Sequence, residues 1–333
     1  MRIVIGERQR PFSHRPGVRC LLPRSGLEVE VFPTLVRIGT KEILLPISGP
    51  VRPFTVELDL EKGRIVVFGQ TECSAFRYEI VQEASDILLR FDRGADYSLR
   101  LAHPEKVAPL PFERLSLGTH KALDWELVAR RRDCAEILPI LLRVGQLTPP
   151  VTESRRYGTA SLLVRLEQLI ETRDKPALKE AFVDLFEAGF RGILAPRLED
   201  DQFQGIVPTD AVPENISALI LVQEAHRLIR RLFVQEEGSR VNILPVLPQE
   251  FDAGRFCDVQ TAFGLMDLEW SKKRIRRLIL RPRQDLLLDV QWQRTVKEFR
   301  VRRSLKGRGE RMAIGTPLQL KAGESLYLDR FEK

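Results

Sequence analysis

Residues 241–270, VNILPVLPQEFDAGRFCDVQTAFGLMDLEW, decide how this chain is divided. The stretch closes a long helical pattern with a proline-punctuated apolar run, Ile243-Leu244-Pro245-Val246-Leu247-Pro248. Phe251 and Gly254 follow, and then a strand-like run ends Asp267-Leu268-Glu269-Trp270. From here to the C-terminus β signals dominate. Residues 278–280, 286–290 and 296–301 read as strands, and 318–331 alternates around the turn Lys321-Ala322-Gly323-Glu324. The apolar junction would be exposed if its two sides were independent. Residues 241–333 are therefore expected to form a β domain packed on the preceding helices through Ile243, Leu244, Leu247 and Phe251.

Upstream, residues 112–240 read as helical. Residues 124–143 carry Trp125, Leu127, Val128, Ile137 and Leu141, with Pro139 expected to kink or end the helix. Residues 159–172 place Leu162, Leu163, Leu166, Leu169 and Ile170 on one face. Residues 176–190 start at a proline and end near Gly189, as helix termini prefer. Residues 213–235 form the longest pattern, striped by Leu219, Val222, Ile229 and Phe233.

Residues 1–111 read as β. Short runs recur at 2–5, 27–32, 35–38, 54–60, 64–68, 76–81 and 87–91, separated by turn signals such as Glu61-Lys62-Gly63. The alternation of Phe54, Val56, Leu58 and Leu60 with Thr55, Glu57 and Asp59 predicts a half-buried strand. The expected fold is α+β and multidomain: an N-terminal antiparallel β-sandwich (1–111), a central all-α segment (112–240) and a C-terminal β-sandwich (241–333).

The chain has 333 residues, enough for two or three domains, and is 43% hydrophobic, enough for a sizeable core. Its net charge of +7 weakly favours acidic partners but defines no site. The four cysteines are scattered without a C-x-x-C pair, which suggests neither a zinc module nor a disulfide framework. The charged N-terminus lacks the apolar run of a secretory signal, and no stretch approaches the roughly 20 apolar residues that span a bilayer. The expected compartment is a reducing cytoplasm, with no membrane partner. G-x-x-x-x-G-K, H-E-x-x-H and G-x-S-x-G motifs are missing from the sequence, which argues against nucleotide-dependent, zinc-protease and serine-hydrolase chemistry. No cofactor is expected.

The 241–270 pattern resembles the segment that closes the catalytic domain and opens the C-terminal β domain in family-95 glycoside hydrolases, the α-L-fucosidase type. There a helix ends in LLPALP, an aromatic and a glycine turn follow, and a strand ends D-x-E-W. The likeness covers about residues 202–270. It implies a β super-sandwich, an (α/α)6 toroid and a C-terminal β domain, and a carbohydrate ligand. The family's Q-I-D-G-N motif supplies a catalytic carboxylate; aligned on Leu221-Val222-Gln223, its Asp position is Pro208 and its Asn position is Asp210. The helical segment offers four or five helices, not twelve, so the toroid is expected to be partial. Glycoside hydrolysis normally needs two carboxyl groups, ~5 Å apart for retention or ~6.5–9.5 Å for inversion. The resemblance thus implies a reduced, degenerate form that binds carbohydrate without cleaving it or carries a rebuilt site.

If a site is retained, the acids to supply it are Asp124, Asp210 and Glu214. The substrate-binding candidates are His120, Trp125, His226 and the glutamines around position 203, Gln202-Phe203-Gln204. Trp125 would stack on a sugar ring while Asp124 and His120 bond hydroxyls. Residues 124–126 read more readily as a helix N-terminus, with Asp124 at the positive end of the dipole and Trp125 in the core. His226 lies within the apolar stripe of 213–235, either as an acid–base group or as a structural histidine. Glu199-Asp200-Asp201 with Asp210 and Glu214 reads as a cation or polyol site, or as a solvated loop. The basic runs 271–283 and 294–311 either coat a sheet face or grip phosphates. Their aromatic content, Trp292 and Phe299, is thin for a stacking platform, so no nucleic-acid partner is expected. The alternative function is a non-enzymatic interaction protein that presents this basic β face to an acidic partner.

Overall fold

The computed structural model describes residues 9–103, 108, 113–119, 121–151, 157–207, 212–213 and 216–332. Ten strands come first: β1 (Phe12–Ser13), β2 (Val18–Leu21), β3 (Glu28–Val31), β4 (Leu35–Ile38), β5 (Lys41–Leu44), β6 (Val51–Asp59), β7 (Arg64–Thr71), β8 (Ala75–Glu83), β9 (Asp86–Arg93) and β10 (Ser98–Ala102). They make an antiparallel six-stranded sheet, ordered β1-β6-β7-β8-β9-β10, and an antiparallel four-stranded meander, β2-β3-β4-β5. In β8 the expected alternation holds: Phe76, Tyr78, Ile80 and Gln82 are buried in turn. In β6 it does not, because Thr55 and Asp59 are buried as well. Asp59 tolerates this because Arg10 covers it at 3.1 Å and Arg64 at 3.6 Å. The expected strand at 2–5 lies outside the described residues.

Next in the chain are β11 (Arg114–Ser116), α1 (Trp125–Arg131), α2 (Cys134–Gln146), α3 (Ser161–Glu171), α4 (Lys175–Gly189), the short pair β12 (Phe190–Arg191) and β13 (Ala195–Pro196), and α5 (Leu219–Phe233). The helix expected over 124–143 breaks at Arg132–Asp133, not at Pro139. Arg132 is left-handed, with φ 54, and Asp133 caps α2 by accepting from the Ala135 N–H at 2.9 Å. Pro139 sits inside α2, where it leaves the Ala135 carbonyl without its helical donor. The Thr119 hydroxyl donates to that carbonyl at 3.4 Å instead. α2 packs on α5, and α3 packs on both α4 and α5. Gly145 makes the first contact close: a Cβ there would lie 2.9 Å from the Val222 carbonyl and collide with His226.

The last strands are β14 (Val234–Glu237), β15 (Arg240–Ile243), β16 (Gly254–Thr261), β17 (Gly264–Ser271), β18 (Arg274–Pro282), β19 (Leu286–Gln291), β20 (Glu298–Arg302), β21 (Glu310–Ala313), β22 (Leu318–Leu320) and β23 (Leu326–Glu332). A seven-stranded antiparallel sheet runs β11-β16-β17-β18-β23-β20-β21, so a strand that precedes the helices completes the C-terminal sheet. The second sheet is β14-β15-β19-β22, in which β15 and β19 are parallel. The fold is mixed α+β with mainly antiparallel sheets. Among the described residues no helix is long and apolar enough to cross a membrane.

Phe233, the last residue of α5, joins the helices to the C-terminal sheets. Its ring lies 6.2 Å from Phe251, 5.9 Å from Phe256 and 5.2 Å from Trp270. Trp270 donates its indole N–H to the Phe251 carbonyl at 3.1 Å, and a Cβ on Gly254 would run into the indole ring. The aromatic, glycine and tryptophan of the 241–270 pattern therefore form one packed unit. Ile243, Leu244 and Leu247 are buried beside it.

A polar chain crosses the same junction. Buried Arg143 of α2 donates to Glu61 at 3.1 Å and to the Glu113 carbonyl at 2.9 Å. The Glu113 carboxylate accepts from Arg230 of α5 at 3.1 Å and from the Gln260 N–H of β16 at 2.9 Å. Burial pushes the Glu113 carboxyl above its usual range, against the pull of Arg230.

Candidate functional site

The turn between α3 and α4 begins the site. α3 ends with the Arg173 N–H on the Ile170 carbonyl at 3.3 Å and the Asp174 N–H on the Leu169 carbonyl at 2.9 Å. This is the Schellman pattern, which needs one left-handed residue, usually glycine. Here that residue is Arg173, with φ 58. Asp174 then caps α4 through the Ala177 N–H, and Lys175 is the first helical residue.

Arg173 and Lys175 face the end of the second C-terminal sheet across a cleft of about 570 Å³. β15 contributes Asn242 and Ile243, followed by Leu244 and Pro245 of the apolar junction. Gln291, at the end of β19, leads into Trp292, Gln293 and Arg294 on the opposite wall. Trp292 is half-buried, and its ring rests on Phe299 at 4.8 Å and Phe331 at 5.3 Å. Gln291 donates to the Asp289 carboxylate at 2.9 Å, and Asp289 in turn pairs with Arg240 at 2.8 Å. Asn242 makes no side-chain hydrogen bond among the described residues. Among the described residues no carboxylate lines this cleft, and Arg173, Lys175 and Arg294 form no ion pair.

Gln293 connects the cleft to the β17–β18 hairpin. Ser271 pairs with Arg274, which leaves Lys272 and Lys273 as a two-residue turn. Both have positive φ, 50 and 59, the setting in which Asn-Gly is favoured. Lys272, Lys273 and Arg274 form no ion pair among the described residues. A second cleft, of about 350 Å³, lies by β20, β21 and β22 and has a single acid, Glu310, in its lining.

The sequence candidates gather elsewhere or nowhere. Asp124 caps α1, accepting from the Leu127 N–H at 3.3 Å. Trp125 is 2% exposed and packs edge-on against Phe186 at 6.1 Å, so its ring faces are closed to a ligand. Glu126 accepts from Ser13 at 2.6 Å. Phe203 is 80% exposed between Gln202 and Gln204, which bond each other at 2.9 Å. His226 is half-buried on α5 against α2; burial and then Arg230 push its pKa down to about 4, so the ring is neutral at physiological pH. His120, Pro208, Asp210 and Glu214 lie outside the described residues. In the acidic run, Asp201 pairs with Arg197 and with Arg191, and Asp200 lies 3.9 Å from Arg197. No His/Cys/Asp/Glu cluster suited to a metal occurs among the described residues.

The basic runs divide in two. Arg277 pairs with Glu269, Arg281 with Asp258 and Asp267, Arg300 and Arg302 with Asp329, Arg303 with Glu324, and Arg311 with Glu298. These arginines are neutralised within the sheet. Among the described residues the hairpin lysines, Arg274, Arg276, Arg283, Arg294, Lys297, Lys306 and Arg308 form no ion pair. Sequence reasoning noticed both runs and Trp292 but passed over Arg173, Lys175, Asn242 and the two glutamines. The cleft draws on segments some 50–70 positions apart, and no local motif links them.

Compared with known proteins, no family model and no curated sequence matches this chain.

Proposed function

We propose that this chain is a glycoside-hydrolase-like protein of reduced size that binds carbohydrate and does not hydrolyse it. One observation carries the reading: among the described residues, the larger of the two clefts is lined by amides, cations and a tryptophan but no carboxylate. Hydrolysis of a glycosidic bond needs a proton donor and a second carboxylate on opposite sides of the bond. Binding needs only an apolar wall for the sugar face and convergent groups for the hydroxyls. Trp292 supplies the first; Asn242, Gln291 and the cations supply the second. The cleft volume falls in the small-molecule range of roughly 300–1,000 Å³.

The order of β, helical and β regions supports the likeness to family-95 enzymes, as does the packing of Phe251, Gly254 and Trp270 in one unit. Five helices are described where the family toroid has twelve, so on this reading the ring is partial. The alternative, a basic β face for an acidic partner, loses support because six of its arginines are paired within the sheet.

The test is a glycan array probed with the full chain, alongside a panel of aryl glycosides. The expected result is selective glycan binding and no aryl release. Robust turnover abolished by one acidic substitution, with Asp124, Asp210 and Glu214 the first to try, would falsify the proposal.

A further inference from the structure

The geometry points to an acidic ligand in this cleft: a mono- or disaccharide that carries a carboxylate, sulfate or phosphate. The inference rests on the carbohydrate-binding reading above and adds the charge of the sugar.

Two independent observations support it. Arg173, Lys175 and Arg294 line the cleft without an ion pair among the described residues, and Asp174, between the first two, is engaged as the cap of α4 through the Ala177 N–H. This contrasts with the neighbouring sheet, where Arg281, Arg300 and Arg302 hold carboxylates at 2.7–2.8 Å. Unpaired cations that converge on a concave site attract anions and donate charge-assisted hydrogen bonds to them.

The second observation is backbone cost. Arg173, Lys272 and Lys273 all occupy left-handed positions, φ 58, 50 and 59, which glycine or asparagine would fill with less strain. The same conformation occurs at other non-glycine residues, such as Ala84 and Leu194, but here it is held by three cations at or tied to one cleft, an outlier from which a functional role is inferred. Gln293, a lining residue, bonds the backbone of the lysine turn and so ties the hairpin to the cleft wall. A nucleic acid fits less well: one aromatic, Trp292, lines the cleft, whereas strand-binding grooves stack successive bases on several.

The experiment is calorimetric titration of the full chain with matched saccharide pairs. Uronate-, sulfate- and phosphate-bearing members are each compared with their neutral parent, with inorganic phosphate, inorganic sulfate and a short RNA as further arms. An acidic member should bind at least roughly tenfold tighter than its parent, the scale of one charge-assisted bond. That advantage should shrink with salt. It should vanish in R173Q/K175Q/R294Q with the circular dichroism spectrum unchanged, so that the acidic member and its neutral parent bind alike. If the triple variant fails to fold, R294Q alone, on an exposed side chain, should still lose severalfold. Equal binding of acid and parent, untouched by the variant, overturns the acidic ligand and leaves carbohydrate binding standing. Inorganic anions binding as tightly as the sugars, or RNA binding more tightly than any sugar, overturns the inference in favour of a bare-anion or nucleic-acid site. Absence of all saccharide binding removes both readings.

Discussion

The side-chain amide of Gln293 donates to the Lys273 carbonyl at 2.8 Å while its oxygen accepts from the Ile275 N–H at 3.1 Å. One residue of the cleft wall therefore fixes the C-terminal side of the two-lysine hairpin through two bonds. Gln293→Leu should cost about 1 kcal/mol of stability, the net worth of such bonds. It should also weaken acidic-ligand binding without removing any charge. Denaturant unfolding and the same titration check both effects; unchanged affinity would detach the hairpin from the site.

The hairpin itself permits a sharper experiment. Lys272→Asn with Lys273→Gly installs the sequence that a two-residue turn with positive φ prefers. Relief of strain should raise stability by about 1 kcal/mol. Affinity for an acidic saccharide should fall in the same protein, and with it the salt dependence. A variant that is less stable, or equally stable with full affinity, would remove backbone strain as support for the site.

How much of this was legible in the sequence depends on range. Strands such as β4 and β8 follow from local alternation, and α4 from its proline start and glycine end. The break between α1 and α2 was hidden because Pro139 is tolerated once Thr119, twenty positions away, bonds the orphaned Ala135 carbonyl. Trp125 was open to two readings because a ring at the first position of a helix serves core and ligand alike; only packing on Phe186 distinguishes them. The cleft was illegible because its walls come from the α3–α4 turn, the 242–245 segment and the 291–294 segment, which meet only after folding.

His226 predicts a pH dependence. Its pKa is 6.5 in the unfolded chain and about 4 in the fold, so the unfolded state takes up the proton first. The neutral ring contributes no penalty above pH 6.5, and stability is lost as pH falls from there through about 4. The loss is at most about 3 kcal/mol, less for the solvent contact the ring keeps. His226→Leu should flatten this limb of a melting-temperature profile. A profile identical to the parent's would mean that the ring is not desolvated.

Phe233 is the hinge of the packing account. Phe233→Ala should cost about 3–5 kcal/mol, since it empties the space shared with Phe251, Phe256 and Trp270. By the same logic, residues 241–333 expressed alone should not unfold cooperatively with the stability they have in the whole chain. Independent, fully stable folding of that fragment would show that the aromatic junction is dispensable.

The most direct test of carbohydrate binding in the cleft uses the three tryptophans of the chain. Trp125 and Trp270 are buried, at 2% and 0% exposure, and Trp292 alone borders the cleft. Titration of the full chain with a saccharide identified on the glycan array should change the emission saturably, at the affinity found by calorimetry. Trp292→Phe should abolish the optical change. An emission change that survives Trp292→Phe, or calorimetric binding with no change in the parent protein, would place the ligand elsewhere and contradict the account.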